Sequence, residues 1–133
     1  MSQTALLFAG QGAQTVGMGR DLAAAFPVAQ VVFDRANAAL GYDLASICFT
    51  GPEAELTKTE NAQPGIFLVS WVALELLKAR VPSLQFSATA GLSLGEFTAL
   101  TAAGAVAGGA IGVAGGVCLG HLQESNRIEP FIE

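Results

Sequence analysis

The segment Gly91-Leu92-Ser93-Leu94-Gly95-Glu96 lies at the junction that decides the fold of this 133-residue chain. It matches the pattern Gly-x-Ser-x-Gly, and it follows a strand-like stretch at 84–90 and precedes a helix-like stretch at 96–103. In that context the pattern predicts a tight strand-to-helix turn that raises a serine hydroxyl above the strand ends. Ser93 is therefore the candidate nucleophile, and the amide of Leu94 would point to where an oxyanion forms. The plainer alternative is a glycine-rich turn whose serine only caps the helix.

Upstream of this segment, the apolar pattern predicts one more strand and several helices. Residues 4–9 are short and apolar and run into a glycine-rich turn at 10–14, which is typical of a buried strand. Residues 63–80 have the strongest helical pattern, apolar on nearly all sides, and Pro64 fits the first turn. Shorter helices are expected at 19–25, 27–40 and 43–49, with a solvated turn or short helix at 52–59. The order strand, helix, strand, helix predicts an α/β fold with a parallel sheet and flanking helices.

Composition and charge exclude several classes of protein. The net charge is −5 and the basic residues form no cluster beyond Lys78 and Arg80, so binding to nucleic acid is not expected. Cys48 and Cys118 are far apart and lack partner motifs, so neither a disulfide framework nor a metal site is predicted. The amino terminus lacks the basic segment and long apolar run of a secretory signal, which favours a cytoplasmic location.

The glycine-rich turn Gly10-Gln11-Gly12-Ala13-Gln14 has two functional interpretations. As a dinucleotide-binding loop it is weak, because Thr15 stands where a third glycine is required. As a second loop beside a reacting carbonyl it fits better, since glycine lets the backbone approach closely and the Gln11 amide would donate to an oxyanion. A plain tight turn is the simplest interpretation of this loop alone. Asn61 and Pro64 likewise fit a helix N-cap and first turn, which indicates no function by itself.

Three segments taken together are more specific than any one of them. They are Phe8–Gln14 with Gly17-Met18-Gly19 after it, then Gln63-Pro64-Gly65-Ile66-Phe67, then Gly91–Glu96. In this order and spacing the chain resembles the amino-terminal part of a malonyl-CoA:acyl-carrier-protein transacylase. The acyltransferase domains of polyketide and fatty-acid synthases are close relatives of that family. The resemblance covers about residues 4–106.

The resemblance implies a function, a site and a fold. Ser93 would attack the malonyl thioester and carry the acyl group, while the amides of Gln11 and Leu94 would form the oxyanion hole. Gln63 would lie beside the substrate at the start of its helix. The malonyl group would pass from coenzyme A to the phosphopantetheine thiol of acyl carrier protein, in fatty acid biosynthesis. The implied fold is a hydrolase-like acyltransferase core, incomplete here, that uses no metal or redox cofactor.

The chain departs from the family pattern in three places. The family usually has histidine just before the nucleophile, where this chain has Leu92. The family is also about twice as long, so its catalytic histidine and carboxylate-binding arginine would lie beyond residue 106. The last departure is a Gly/Ala-rich and polar tail at 107–133, which contains the single histidine, His121. A truncated or frameshifted reading frame explains this tail better than a membrane helix, because glycine is unfavourable inside helices.

Two other functions are compatible with these residues. An inactive fragment or pseudo-enzyme would still bind an acyl group or a protein partner. A serine hydrolase would share the Ser93 turn, but no Asp and His pair follows Ser93 at a usable distance. We therefore expect residues 1–106 to be the amino-terminal part of an acyltransferase domain.

Overall fold

A computed structural model describes residues 3–104, and the structural statements below concern that range. The elements are β1 (Ala5–Phe8), α1 (Arg20–Ala25), α2 (Pro27–Leu40), α3 (Leu44–Thr50), α4 (Glu53–Leu56), α5 (Thr59–Arg80), β2 (Ala88–Gly91) and α6 (Leu94–Ala102). Five helices thus connect the two strands, and the sixth follows the second strand. The tail at 107–133, with His121 and Cys118, lies outside the described residues.

The two strands form a parallel sheet, as predicted. Leu7 of β1 pairs with Ala90 of β2, and partners in register point to the same side of the sheet. One side meets α6, where the Thr89 hydroxyl donates to the backbone carbonyl of Ala99 at 3.0 Å. The other side consists of exposed side chains; we call it the open sheet face, and it comprises Ala5, Leu7, Ala88 and Ala90. The α/β class is confirmed, and the core is partial because residues 3–104 cover only one face of the sheet.

The helices between the strands enclose a closed core. The side chains of Phe33, Leu44, Cys48 and Leu56 are fully buried among α2, α3, α4 and α5. Phe33 also packs edge-to-face against Phe49, with ring centroids 4.9 Å apart. This cluster is built by the helices themselves and contains no residue of β1, β2 or α6.

Local signals account for the ends of α2 and α3. Pro27 occupies the first turn of α2, where its missing N–H costs nothing, and Gly41 ends the helix with a φ of 76°. Asp43 caps α3 by accepting a hydrogen bond from the Ser46 amide at 2.9 Å. The same carboxylate accepts from the Asn37 side chain at 2.7 Å, which fixes the corner between the two helices.

The start of α5 differs from the prediction. The helix begins at Thr59, so Pro64 lies inside it rather than in its first turn. Proline has no N–H, and the carbonyl of Glu60, four residues earlier, therefore loses its usual donor. The Tyr42 hydroxyl donates to that carbonyl instead, at 3.1 Å. A side chain from outside the helix thus compensates for the interior proline.

Asn61 is consequently not the N-cap of α5. It lies in the first turn and is buried, and its side-chain amide donates to the carbonyl of Glu55 at 2.9 Å. This bond ties the start of α5 to α4. The short α4 itself agrees with the predicted turn or short helix at 52–59.

By length and apolar composition α5 could cross a membrane, as Thr59–Arg80 has a mean hydropathy of 1.2 over its apolar window. In this fold 44% of that window is buried inside the protein. Ile66, Phe67, Leu68 and Val72 are all buried. These apolar side chains of α5 are thus part of the core, in which α5 is the central helix.

The second strand is shorter than predicted. Residues 84–90 were expected to be extended, but β2 spans only Ala88–Gly91. Its pairing is limited by β1, which has four residues. Before the strand, the Ser87 amide donates to the carbonyl of Thr4 at 2.9 Å, so the chain approaches β1 without continuing the ladder.

Candidate active site

Ser93 occupies the sharp turn between β2 and α6. Its φ is 53° and its ψ is −113°, and no other non-glycine residue between 3 and 104 has a positive φ. Such backbone strain persists only where the surrounding structure imposes it, and it is concentrated at functional sites. Ser93 is the N-cap residue of α6, yet its side chain makes no capping hydrogen bond. The hydroxyl is exposed and uncommitted, which argues against a serine that only caps the helix.

Close backbone packing explains why position 95, two residues after the serine, is a glycine. A Cβ on Gly95 would overlap the carbonyl oxygen of Phe8 and lie 3.0 Å from that of Ala9. The Leu92 amide donates to the same Phe8 carbonyl at 3.3 Å. The turn around Ser93 is thus pressed against the carboxyl end of β1, and no larger residue fits at position 95.

The loop after β1 packs against the same turn. The Ala13 amide donates to the Gly10 carbonyl at 3.2 Å, which closes a tight turn. A Cβ on Gly10 would overlap the carbonyl oxygen of Leu92 and would lie 3.5 Å from the Cβ of Ser93. The carboxyl ends of neighbouring parallel strands are where α/β proteins bind ligands, and both predicted loops meet there.

Gln11 and Gln63 are brought together by a chain of hydrogen bonds. The Gln63 side-chain amide donates to the Gln11 side-chain oxygen at 3.2 Å. The Gln11 side-chain amide donates in turn to the Thr59 hydroxyl at 3.1 Å. The loop after β1 is therefore tied to the first turns of α5. The sequence analysis did not predict a role for Thr59. Thr59 lies one helical turn before Gln63, but this relation becomes apparent only when α5 is known to begin at Thr59.

The two backbone amides predicted to form the oxyanion hole have no acceptor among the described residues. Neither the backbone N–H of Gln11 nor that of Leu94 donates a hydrogen bond to another residue within 3–104. Leu94 is the first residue of α6, where backbone amides lack helical partners and the helix dipole is positive. Its side chain is buried and anchors the turn.

The remaining chemistry near the site is sparse. Leu92 replaces a polar neighbour of the serine with an apolar side chain that is 76% exposed. The single histidine of the chain, His121, falls outside residues 3–104. Within that range no three His, Cys, Asp or Glu side chains are grouped to hold a metal ion. Burial raises the pKa of the Cys48 thiol to about 12, so this cysteine is not an alternative nucleophile at neutral pH.

Residues 5–110 match the family model of the acyl transferase domain. The chain belongs to this acyltransferase family. Its relatives include the malonyl CoA-acyl carrier protein transacylase of Haemophilus influenzae, 43% identical over 104 residues, or 78% of this chain and 33% of the relative. The transacylase of Bacillus subtilis is 46% identical over 106 residues, or 80% of this chain and 33% of the relative. The resemblance seen in three sequence segments is thereby confirmed.

Solved structures of the acyltransferase family share the fold. The malonyl CoA-acyl carrier protein transacylase of Clostridium perfringens has a TM-score of 0.70 and 41% identity, covering 79% of this chain and 33% of that one. A malonyl-transacylase in complex with a type II PKS acyl-carrier protein also has a TM-score of 0.70, with 43% identity over 77% of this chain and 33% of that one. This chain therefore spans about a third of the length of the relatives it matches.

Proposed function

We propose that residues 1–106 are the amino-terminal part of a malonyl-CoA:acyl-carrier-protein transacylase and that Ser93 carries the malonyl group. The observation that carries the proposal is the strained backbone of Ser93, with its exposed hydroxyl held at the ends of two parallel strands. That geometry is what a nucleophilic serine requires and what a helix-capping serine does not.

The reaction has two acyl transfers. The Ser93 oxygen attacks the malonyl carbonyl, a bond forms between them, and the bond to the coenzyme A sulfur breaks. The phosphopantetheine thiol of acyl carrier protein then attacks the acyl-serine and releases the hydroxyl. A base must take the serine proton, because a neutral hydroxyl is a weak nucleophile. Residues 3–104 contain no histidine, so a histidine base would have to come from outside that range.

The amides of Gln11 and Leu94 are proposed to stabilise the tetrahedral intermediate. Both are available, and Gly10 lets the first of these loops approach the serine. A single donor of this kind is worth about 10²–10³ in turnover. Gln63 is proposed to bind substrate at the edge of the site and, through its bond to the Gln11 side chain, to hold the Gln11 loop in place.

The proposed substrates and partner follow from the family. Malonyl-CoA supplies the acyl group as a thioester, so acyl transfer through serine requires no cofactor. One structural relative is a malonyl-transacylase in complex with an acyl-carrier protein, which supports acyl carrier protein as the partner. We place this activity in fatty acid biosynthesis in the cytoplasm. We also propose that the tail at 107–133 departs from the acyltransferase pattern, although the family match itself extends to residue 110.

One observation favours a second candidate. Leu92 stands where the family usually has histidine, and residues 3–104 contain no histidine that could act as the base. A chain with these features that binds the acyl group or its partner without turnover is the pseudo-enzyme alternative. No structural feature favours a serine hydrolase.

Incubation of the chain with radiolabelled malonyl-CoA tests the proposal, with imidazole added as an external base. The label should appear on the unmodified protein and on Ser83→Ala, which removes another exposed loop hydroxyl. It should be absent from Ser93→Ala. A folded chain that binds malonyl-CoA and stays unlabelled would favour the pseudo-enzyme, and equal labelling of Ser93→Ala would exclude Ser93 as the acyl carrier.

A further inference from the structure

The backbone around Gln11, whose N–H is one of the two proposed oxyanion donors, is not fixed by its own loop. Gly10 and Gly12 flank Gln11, and Gly12 has a φ of 108° with no atom beyond its chain neighbours within 4 Å of its Cβ position. Glycine gives a backbone unusual conformational freedom. The hydrogen bonds inside residues 10–14 join neighbouring loop residues only. Contacts from outside the loop are therefore needed to aim this amide at the carbonyl that Ser93 attacks.

The Gln11 side chain supplies those contacts. Within 3–104, two hydrogen bonds join residues 11–16 to other elements of the fold, and both involve this side chain. Its oxygen accepts from the Gln63 side-chain amide at 3.2 Å, and its amide donates to the Thr59 hydroxyl at 3.1 Å. Because the carboxamide group is planar, a bond at each end fixes its orientation more tightly than one bond would.

The Thr59 hydroxyl has no other role in the described part of the chain. Thr59 is the first residue of α5, but the N-cap position belongs to Lys58, and no side chain caps the helix. The bond from Gln11 is the one hydrogen bond that the Thr59 hydroxyl makes within 3–104. By contrast, the hydroxyl of the nearby Thr57 donates to the carbonyl of Glu53 at 2.8 Å, inside its own helical turn. The Thr59 hydroxyl thus serves the loop after β1 and not its own helix.

The helical turn that contains Thr59 is held in place from two sides. The Tyr42 hydroxyl donates to the Glu60 carbonyl at 3.1 Å. The side-chain amide of Asn61, which is buried, donates to the Glu55 carbonyl at 2.9 Å. Both bonds come from outside the local helical ladder, so Thr59 is presented to Gln11 from a fixed turn.

We propose that Thr59 is a positioning residue for the acyl transfer, which acts by holding the Gln11 side chain so that the Gln11 backbone amide points at the developing oxyanion. The inference rests on the proposed function of Ser93 and of the Gln11 amide. An oxyanion donor stabilises the transition state only when it is correctly placed beforehand. A displaced donor slows the chemical step without weakening the binding of substrate in its ground state.

The rate of malonyl labelling tests this role. The full 133-residue chain is incubated with radiolabelled malonyl-CoA at several concentrations, with imidazole as the external base. Thr59→Val keeps the shape of the side chain but removes the hydroxyl, so the maximal labelling rate should fall by about threefold to tenfold. The half-saturating concentration of malonyl-CoA should change by less than about twofold. Thr59→Ser, which restores the hydroxyl, should recover the rate.

Thr57→Val is the matched control, because it removes an exposed threonine hydroxyl that bonds only to Glu53. It should label at the rate of the unmodified chain. A normal rate in Thr59→Val, or a loss that Thr59→Ser does not recover, would overturn the proposal. Circular dichroism first establishes that each variant is folded.

A double-mutant cycle tests whether Thr59 acts through the Gln11 side chain. Gln11→Met removes the carboxamide and keeps the backbone amide. Since the bond between the two side chains is then already lost, Thr59→Val should have no further effect in that background. An equal loss of rate in both backgrounds would show that Thr59 acts elsewhere and would overturn the proposal.

Nuclear magnetic resonance separates this inference from the proposed function. In a ¹⁵N-labelled Thr59→Val chain, the Gln11 backbone amide signal should shift and its order parameter should fall, while Thr59→Ser and Thr57→Val keep both. An unchanged Gln11 signal in Thr59→Val would overturn the positioning role. The expected change in a chain whose unmodified form accepts no malonyl label would instead contradict the proposed function alone.

Discussion

The helical region α1–α5 and the sheet region formed by β1, β2 and α6 differ in how completely their apolar side chains are buried. Phe33 and Leu44 have no exposed surface, whereas Leu7 is 80% exposed and Leu92 is 76% exposed. The helices connecting the strands thus bury a core of their own, whereas residues 3–104 leave one face of the sheet uncovered. Stability is therefore expected to reside in the helical region, and the candidate site lies in the less completely buried sheet region.

The two regions meet beside Ser93. The loop after β1 touches the turn at Ser93 and is tied by Gln11 to Thr59 and Gln63 at the start of α5. The helical region can therefore hold the loop after β1 in position beside Ser93.

Of the substitutions considered, removal of the Phe33 side chain should destabilise the protein most, because it opens a cavity in the closed core. Phe33→Ala should lower the free energy of unfolding by about 3–5 kcal/mol, because it leaves a cavity among fully packed side chains. Leu7→Ala should change it by less than about 0.5 kcal/mol, since that side chain is exposed. Urea unfolding measures both. Similar losses for the two variants would show that the isolated sheet face is buried after all.

Gly95→Ala tests the contact between the serine turn and the end of β1. The new Cβ would collide with the carbonyls of Phe8 and Ala9, so we expect a loss of about 1–3 kcal/mol. Glu96→Ala, one residue further along the exposed surface of α6, should stay within about 0.5 kcal/mol. The same unfolding experiment applies. A Gly95→Ala variant as stable as Glu96→Ala would mean that the serine turn does not pack against β1.

Alkaline pH tests burial in the closed region. Burial raises the pKa of Cys48 from its ordinary 9.0 to about 12, so the unfolded chain loses this proton first. The stabilisation is complete below about pH 9 and is lost as the pH rises towards 12, at up to about 1.4 kcal/mol per pH unit. Cys48→Ala should remove this part of the slope, and Ser46→Ala, at an exposed position of α3, should keep it. An unchanged slope in Cys48→Ala would place the thiol in contact with water.

The smallest effect concerns the proline inside α5. Tyr42→Phe should cost about 0.5–1.5 kcal/mol, because the Glu60 carbonyl then loses its donor. In a Pro64→Ala background the helix restores that donor, so the cost of Tyr42→Phe should shrink. A double-mutant cycle measures this coupling. Additive effects would show that the tyrosine hydroxyl does not compensate for the proline.

Much of the fold was predictable because its signals are local. Gly91 to Gly95, with apolar stretches on either side, predicted a strand, a turn and a helix, and Pro27 and Gly41 marked the ends of α2. The start of α5 was not predictable, because Pro64 is typical of a first helical turn. The Tyr42 hydroxyl, from outside the helix, supplies the donor that the proline cannot. A tertiary contact of this kind leaves no trace in the local sequence.

The candidate site was predictable to a similar extent. Ser93, Leu94 and Gln11 belong to glycine-rich turns whose geometry is local, and Gln63 entered through the family resemblance. Thr59 was missed because its bond to Gln11 joins residues 48 positions apart. The length of β2 was missed for the same reason, since pairing with β1 and not the alternation of its own residues decides where the strand begins.

Peptide mapping of the malonylated protein tests directly whether Ser93 carries the acyl group. The chain is exposed briefly to malonyl-CoA with imidazole as an external base, quenched in acid and digested. We expect malonyl on the peptide that contains Ser93, and its removal when acyl carrier protein with a free phosphopantetheine thiol is added. Malonyl on another residue, with Ser93 unmodified, would contradict the assignment of Ser93 as the nucleophile.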